Sequence, residues 1–476
     1  MSSAAIDQSE LTLVERLGPN LDPVTVFRAL AHLSHAVFFD SAMRHPQLGR
    51  YSFIAVDPIA WWEATTDGAE IFAAVSRAAA NLAGDWRPDL PPFQGGLAGM
   101  FGYELAGSFE RVPVARIADL KMPTLAVGWY DVVVAFDHEL DAAWLISQGW
   151  PETDPTSRRE RATRRLAQFR DWLRTGRLKK LSVNNCGPPP LAFDQLAPQF
   201  AVGGIDGLTS NFSADAYRAA ARRAIEYIHA GDVFQVNLAQ RLLHEAYGSS
   251  VDLYCRLRER NPAPFAGYLD LGDWQVCSAS PERFLRVSEG HVETRPIKGT
   301  AKRIPQSTDL QSGKDLLASA KDRAENVMIV DLLRNDLSRS CRPESVRVSQ
   351  LCELEKFAWV QHLVSVVEGT LRDDQTPLDL LRRCFPGGSI TGAPKLRAME
   401  IIAELEPTLR GAYCGALGYV GVNGQMDMSI LIRTITAGRG WWQLPVGGGI
   451  VADSNPQREY EETWSKAQGM LQALRP

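Results

Sequence analysis

The chain has 476 residues, 45% of them hydrophobic and 22% charged, with a formal net charge of −5. That length holds two or three ordinary domains or one large intertwined α/β unit, so core size is not limiting. The composition is that of a globular protein, and the weak negative charge gives no general attraction to nucleic acid or to anionic membrane.

Residues 1–8 lack a basic segment followed by an apolar run, and no later stretch approaches the length of a membrane span; the expectation is a cytoplasmic protein with no membrane partner. Residues 1–150 mix short β-like runs (Ala36 to Phe39, Leu125 to Phe136) with Gly/Pro punctuation at Pro91-Pro92 and Gly95-Gly96, and read as a mostly sheet-containing region. An Arg-rich helix is expected over 155–180, beginning Arg158-Arg159-Glu160-Arg161. A solvated face leading into a linker accounts for its charge better than a binding patch does. Cys186-Gly187-Pro188-Pro189-Pro190 and Gly203-Gly204 mark that linker, which divides the chain into 1–150, 151–209 and 210–476. Seven cysteines (Cys186, Cys255, Cys277, Cys341, Cys352, Cys384, Cys414), scattered and without a Cys-x-x-Cys pair, predict reduced and mostly packed thiols.

The third segment opens with a helix capped by Ser213 that carries Tyr217, Ala221, Ala224 and Ile228 on one face and stops at Gly231. Strands are expected at Phe265 to Leu271, Gln275 to Ala279 and Arg283 to Val287. A further strand from His291 to Ile297 delivers Lys298 at its end, before a Gly-Thr turn. Asp315 to Leu337 reads as one helix with Ala320, Ala324, Val327 and Leu333 or Leu332 toward the core. Tyr413 to Val422 and Met426 to Thr436 read as a hairpin about Asn423-Gly424. The class is therefore α+β with antiparallel sheet. No repeat of 20–50 residues is evident.

Lys298 stands in the segment Arg295-Pro296-Ile297-Lys298-Gly299-Thr300. It is either a solvated lysine at a strand end or a nucleophile. The second requires a desolvated or charged pocket that depresses the amine pKa. Carboxylates that could build such a pocket occur on two helices. On the last, capped by Asn455 and Pro456, Glu459, Glu462 and Lys466 line a different face from Tyr460, Trp464, Ala467 and Leu471. Glu325 lies near the middle of the other helix, where it can pair with Lys321 or serve a metal. Two carboxylates with open positions suit Mg²⁺, which keeps waters and takes substrate oxygens. Val446-Gly447-Gly448-Gly449-Ile450 would let a ligand approach the backbone. Gly387-Gly388-Ser389-Ile390-Thr391-Gly392-Ala393-Pro394-Lys395 is either an anion-accepting loop at a helix start or a tight turn. Arg433 in an apolar strand points to an anionic partner or a structural ion pair.

Together these segments resemble the chorismate-utilising enzymes, the family of anthranilate synthase, aminodeoxychorismate synthase, isochorismate synthase and salicylate synthase. The motifs are Phe234-Gln235-Val236-Asn237-Leu238, Ser278 to Phe284, Pro296 to Thr300, Glu325 through Leu332-Leu333-Arg334-Asn335-Asp336-Leu337, Thr391 to Lys395, and Gly447 to Glu462. They cover nearly all of 210–470. Residues 1–150 resemble the family's amino-terminal region through Asp40-Ser41 and Gly49 to Phe53. The resemblance implies an anthranilate synthase-like α+β fold, with large antiparallel sheets in a sandwich-like core and helices outside.

Within the family, anthranilate synthases have alanine where this chain has Lys298, and isochorismate-type enzymes have a water-activating lysine where it has Gln235. Pro-Ile-Lys-Gly-Thr resembles the aminodeoxychorismate synthase branch. By that resemblance, Mg²⁺ on Glu325 and Glu462, with Glu459 through water, holds the ring carboxylate of chorismate. Tyr413, Arg433 and Gly449 orient the enolpyruvyl carboxylate. Gly299, Thr300, Gly447, Gly448, Lys466, Gln235 and His362 complete the substrate contacts. Glu282 is the implied general acid at the 4-hydroxyl and Lys298 the implied nucleophile at ring carbon 2.

The chain holds no glutaminase Cys-His-Glu constellation, so the implied partner is a glutamine amidotransferase subunit that supplies ammonia. Ser41, Arg50, Tyr51, Ser52, Phe53, Pro264, Phe265 and Ala266 match the family's tryptophan site. Phe38-Phe39-Asp40-Ser41 departs from the leucine-rich segment of feedback-inhibited anthranilate synthases, which favours a structural tryptophan over a regulatory one. The competing expectations are anthranilate synthase component I and a non-catalytic chorismate-binding paralogue.

Overall fold

The hairpin at Asn423-Gly424 forms from Ala416–Gly421 and Met426–Ile430, and Asn423 (φ 62°) and Gly424 (φ 70°) supply the left-handed pair that matches strand twist. The computed structural model describes residues 11–44, 48–82, 84–176, 189–302, 309–356 and 360–475. The Cys186-Gly187-Pro188 motif, the expected helix residues 177–180 and the N-terminal residues 1–8 lie outside the described residues.

Two antiparallel sheets carry the architecture. The first runs from Leu13–Arg16 through Ala142–Ser147, Val132–Asp137, Tyr51–Ala55, Val37–Asp40, Phe265–Asp270, Trp274–Ser280, Thr434–Gly438, Trp441–Ile450 and Gln235–Glu245 to the short strands near residue 200. The second runs from Ile297–Lys302 through Val360–Thr370, His291–Thr294, Arg283–Ser288, Met426–Ile430, Ala416–Gly421, Gly96–Phe101 and Leu125–Tyr130 to Ala60–Ala64. Val37, Phe53 and Leu269 of the first pack in one cluster with Ala98, Met100, Leu417 and Tyr419 of the second. Helices cover the outer faces: Pro23–Leu30, Pro155–Gly176, Ser250–Arg260, Lys395–Leu405 and Pro456–Ala473 on the first, Ala69–Ala80, Ala320–Ser338 and Pro377–Cys384 on the second. This is the expected α+β sandwich. Each sheet joins a block of strands from 1–150 to a block from the rest of the chain, at Val37–Asp40 beside Phe265–Asp270 in the first and at Gly96–Phe101 beside Ala416–Gly421 in the second.

Apolar runs hide the places where the chain changes sheets. The run Leu125 to Phe136 is two strands, one in each sheet, broken at the buried Asp131. Arg165 reaches Asp131 at 3.0 Å, so the basic helix is not merely a solvated face: Arg158 and Arg165 are buried in it. The run Met426 to Thr436 likewise ends at Ile430 and resumes at Thr434 in the other sheet. Arg433, at φ 54°, lies in the crossing and not in a strand.

The expected helix Asp315 to Leu337 is two helices, Asp309–Ala318 and Ala320–Ser338, because Ser319 leaves the helical conformation and accepts from the Asp322 amide. Its buried face is Asn326, Ile329, Val330, Leu333 and Leu337; Ala320, Ala324 and Val327 face outward. Asn326 can be buried because its amide reaches the Leu363 carbonyl and the Ser365 hydroxyl. Among the described residues the cysteines are buried and unbonded to each other, and no helix is long and apolar enough to cross a membrane.

Candidate active site

The floor of the site is the ladder between Gln235–Glu245 and Trp441–Ile450, in which Asn237, Leu238 and Ala239 face Gly449, Gly448 and Gly447. Side chains fill the space that a Cβ would take. At Gly448 it would lie 3.3 Å from Lys466 Nζ, 3.5 Å from Glu462 Oε1 and 3.6 Å from Glu459 Oε2; at Gly449, 2.7 Å from Gln235 Nε2. Gly448 and Gly449 thus place the last helix and Gln235 against bare backbone, while Gly447 lets its strand lie close on Leu238 and Ala239. Both polar atoms of the Gln235 amide are buried without a partner, an expense that a bound polar ligand would offset.

Asn455 accepts from the amides of Gln457 and Arg458 and aims the first turn of Pro456–Ala473 at this floor. Glu459 is buried, not wet; Ser454 donates to its Oε1 at 2.6 Å, while its Oε2 has no partner. Burial pushes the carboxyls of Glu459 and Glu325 up, with Lys298 and Lys321 opposing it at Glu325. Glu462 is half-exposed. Burial acts against its charged form, but Lys466 at 2.6 Å holds it below the usual carboxylate range.

Among the described residues no three acid, histidine or cysteine side chains close on one point as a complete protein cage for a metal. A pair of carboxylates from two helices with a vacant buried oxygen nearby fits a hard cation that takes its other ligands from water and substrate. The residues expected to hold Mg²⁺ are chemically suited to it.

Lys298 does not end a strand. The strand His291–Thr294 stops before Pro296, and a new one, Ile297–Lys302, pairs with Val360–Thr370. The register shifts between Lys298 and Thr300, where Gly299 has φ 71°. That bulge re-aims Lys298 inward. Its Nζ donates to the Ser389 carbonyl at 3.3 Å, and burial depresses the amine against the pull of Glu325 and Glu282. Glu282 leaves Trp274–Ser280 at the crossing into Arg283–Ser288 and is buried; its Oε1 accepts from Ser389 Oγ at 2.7 Å. Burial raises its carboxyl to about 7, with Ser389, Lys298 and the Ile297 amide resisting. A raised carboxyl and a depressed amine therefore share one serine.

Thr300 faces His362 across the ladder. Burial lowers His362 to about 4, so the ring is neutral and hydrogen-bonded to the Gly299 backbone. Arg433 donates to the Lys466 carbonyl at 3.0 Å; burial depresses it, while Tyr413 and Glu462 favour its charge. Tyr413 is buried and kept neutral. Lys395, by contrast, is committed to Asp336 and to the Cys384 carbonyl, both at 2.7 Å.

Sequence reasoning gave Ser389 no role of its own and passed over Arg410, which donates to the carbonyls of Asn237 (2.9 Å) and Ile390 (3.2 Å) and pairs with Glu406 at 2.6 Å. The Gly387-Gly388 turn was the available signal for Ser389. Glu406 is a local partner four residues away, but the Asn237 and Ile390 carbonyls that tie Arg410 to the site are distant in sequence.

A second cavity, of about 270 Å³, gathers the residues matched to tryptophan binding: Ser41, Arg50, Tyr51, Phe53, Pro264, Phe265 and Ala266, with Phe39, Tyr419 and Asp427. Ser52 is a correction. Alternation along Tyr51–Ala55 turns it away, and its hydroxyl contacts the Ser41 amide and His138.

The structure is a two-sheet α+β fold in which a buried acid and a buried amine share Ser389 and the carboxylates of the last helix lie against a glycine-rich strand. Residues 38–472 match the chorismate binding enzyme family, and the chain belongs to it. It is 38% identical over 464 residues to anthranilate synthase component 1 of Thermus thermophilus, covering 95% of each chain. It is 43% identical over 389 residues to aminodeoxychorismate synthase component 1 of Salmonella typhimurium, covering 81% of this chain and 78% of that protein. The structure of anthranilate synthase component I from Streptococcus pneumoniae superposes with a TM-score of 0.73 at 30% identity, over 90% of this chain and 93% of that one. The chain is a chorismate-utilising enzyme.

Proposed function

We propose that this chain is the large subunit of an aminodeoxychorismate synthase, which converts chorismate and ammonia to 4-amino-4-deoxychorismate for 4-aminobenzoate and folate synthesis. The observation that carries this reading is that Lys298 Nζ and Glu282 Oε1 are both bonded to Ser389, so nucleophile and acid belong to one pocket. An amine depressed by burial is neutral more often at ordinary pH, and a carboxyl at about 7 still carries protons there.

In the reaction, the Lys298 amine forms a bond to ring carbon 2, the ring double bonds shift, and the bond from carbon 4 to its hydroxyl breaks. Glu282 gives its proton to that hydroxyl, which leaves as water. Ammonia then bonds to carbon 4, the double bonds return, and the lysine leaves as a neutral amine. The Glu282 carboxylate takes the extra proton from the new ammonium group, which restores both residues. Arg433 and Lys466 supply positive charge for the substrate carboxylates, with Tyr413, His362 and Gln235 as neutral polar contacts. Mg²⁺ held by Glu325 and Glu462, with Glu459 through water, would neutralise and orient the ring carboxylate.

Ammonia comes from a separate glutamine amidotransferase subunit, in keeping with the component 1 designation of the relatives. A bound tryptophan is proposed for the second cavity, where Phe39, Phe53 and Tyr419 offer aromatic faces. Denaturing the purified protein and assaying the released amino acids tests that assignment.

The deciding experiment for the activity is product identification with chorismate, Mg²⁺ and ammonium. The expected product is 4-amino-4-deoxychorismate. Anthranilate would establish the competing synthase, and absence of turnover would establish a non-catalytic paralogue.

A further inference from the structure

Ser389 bonds to both Lys298 and Glu282, and among the described residues it joins the two groups proposed to react. Its hydroxyl donates to Glu282 Oε1 at 2.7 Å and its carbonyl accepts from Lys298 Nζ at 3.3 Å. The turn that carries it, Gly388–Ile390, is fixed from three directions. The Thr391 hydroxyl donates to the Gly387 carbonyl at 3.0 Å, and Arg410 donates to the Ile390 carbonyl at 3.2 Å. A Cβ at Gly388 would stand 2.5 Å from Leu332 Cδ2, so the turn lies directly on the helix Ala320–Ser338. Glu282 is fixed as well, since its amide donates to Ser280 Oγ at 3.3 Å and its carbonyl accepts from the Ile430 amide at 3.1 Å.

We propose that Ser389 is a positioning residue which assigns the acid proton to Oε2 of Glu282 and sets the direction of the Lys298 lone pair, so that both point at one substrate. A hydroxyl that donates to Oε1 makes that oxygen an acceptor, and the carboxyl proton is left to Oε2. The carbonyl takes one N–H of the amine, which restricts rotation about the last bond of the lysine and keeps its lone pair away from Ser389. Ser389 carries no charge, so it aims the two groups without neutralising either. The charged or titratable groups facing Glu282 are Lys298 and the Cys414 thiol, which burial pushes up to about 12 and so keeps neutral. The Ile297 amide is the other donor to the carboxyl. This inference rests on the lysine-dependent reaction proposed above.

The test is the rate of Lys298 adduct formation with chorismate and Mg²⁺ but no ammonia, followed by intact-protein mass spectrometry from pH 5.5 to 9. Omitting ammonia keeps its own titration out of the profile. In Ser389→Ala the carboxylate loses a stabilising donor, so the basic limb of the profile moves to higher pH. The adduct rate falls by about 10- to 100-fold, on the scale of an acid that is no longer aimed. Ser389→Thr keeps hydroxyl and carbonyl and returns the limb to its wild-type position. A wild-type rate and limb in Ser389→Ala would overturn the inference while leaving the reaction intact. So would an equal slowing in both variants with the limb unmoved, which marks a purely structural role. A wild-type protein that forms no adduct would overturn the lysine mechanism and this inference together. Far-UV circular dichroism of both variants accompanies the rates, and Ser389→Gly, which also lacks the hydroxyl and keeps the carbonyl, carries the test should Ser389→Ala not fold.

Discussion

Lys466 Nζ lies 2.6 Å from Glu462 Oε1 and 3.1 Å from the Gly447 carbonyl, so the carboxylate proposed for a metal already has a cationic partner. The two are one helical turn apart, and Glu462 is half-exposed, so the pair adds little to stability. Its weight falls on ligand binding. A metal held by Glu462 would compete with Lys466 for its charge, and a Lys466 ammonium so loosened would be available to a substrate carboxylate. The expected outcome for Lys466→Met is a chorismate KM raised about tenfold or more, with an affinity for Mg²⁺ that is no weaker. Kinetics at varied Mg²⁺ measure both; a variant that needs far more Mg²⁺ would contradict the exchange of partners.

Lys298 makes a sharper claim, because a covalent role leaves a mass. With chorismate, Mg²⁺ and no ammonia, the wild-type protein should gain the mass of chorismate less water, and Lys298→Ala should gain nothing. Turnover in that variant should fall on the order of 10³-fold. Full activity in Lys298→Ala sinks the covalent step.

Glu282 ties activity and stability to the same pH range in opposite variants. Its carboxyl titrates near 7 in the folded chain against a reference value of 4.5, so the folded state holds a proton that the unfolded state releases. That contribution is fully present below 4.5 and is lost as pH rises through about 7. Glu282→Gln has no such loss. It should be inactive as an acid yet more stable than wild type at pH 8, by up to about 3 kcal/mol, with the difference vanishing near pH 5. Thermal unfolding of both proteins at the two pH values measures this. A stability difference that is flat with pH would mean that the buried carboxyl does not titrate there.

How much of this was legible in the sequence depends on the range of the interactions. The Asn423-Gly424 hairpin, the Ser213 and Asn455 caps and the strands at 265–287 are local, and composition marks them. The site carboxylates and Lys298 were legible through motif resemblance, as residues out of keeping with their neighbours. The sheet crossings at Asp131 and at Leu431 to Arg433 were not, because an apolar run reads alike whether it serves one strand or two. Asn326 toward the core and Val327 toward the surface reverse the apolar pattern, because Leu363 and Ser365 satisfy the amide from another strand.

The Lys395–Asp336 pair separates structural charge from catalytic charge. Lys395 ends a glycine-rich segment that suggested anion binding, yet its ammonium lies 2.7 Å from both Asp336 Oδ2 and the Cys384 carbonyl, and the aspartate is buried. Burial raises the Asp336 carboxyl while Lys395 opposes that shift. Removing one partner of such a pair leaves the other charge desolvated and unmatched, at a cost of about 3–5 kcal/mol. Lys395→Met and Asp336→Ala should therefore each lower the unfolding free energy by that order, and the double variant should lose less than the sum of the two. The chorismate KM at a temperature where the variants stay folded should be unchanged, because neither group reaches the Lys298 pocket. A variant of normal stability with a KM raised tenfold would instead make Lys395 a substrate contact. Denaturant unfolding and steady-state kinetics on the same preparations separate the two roles.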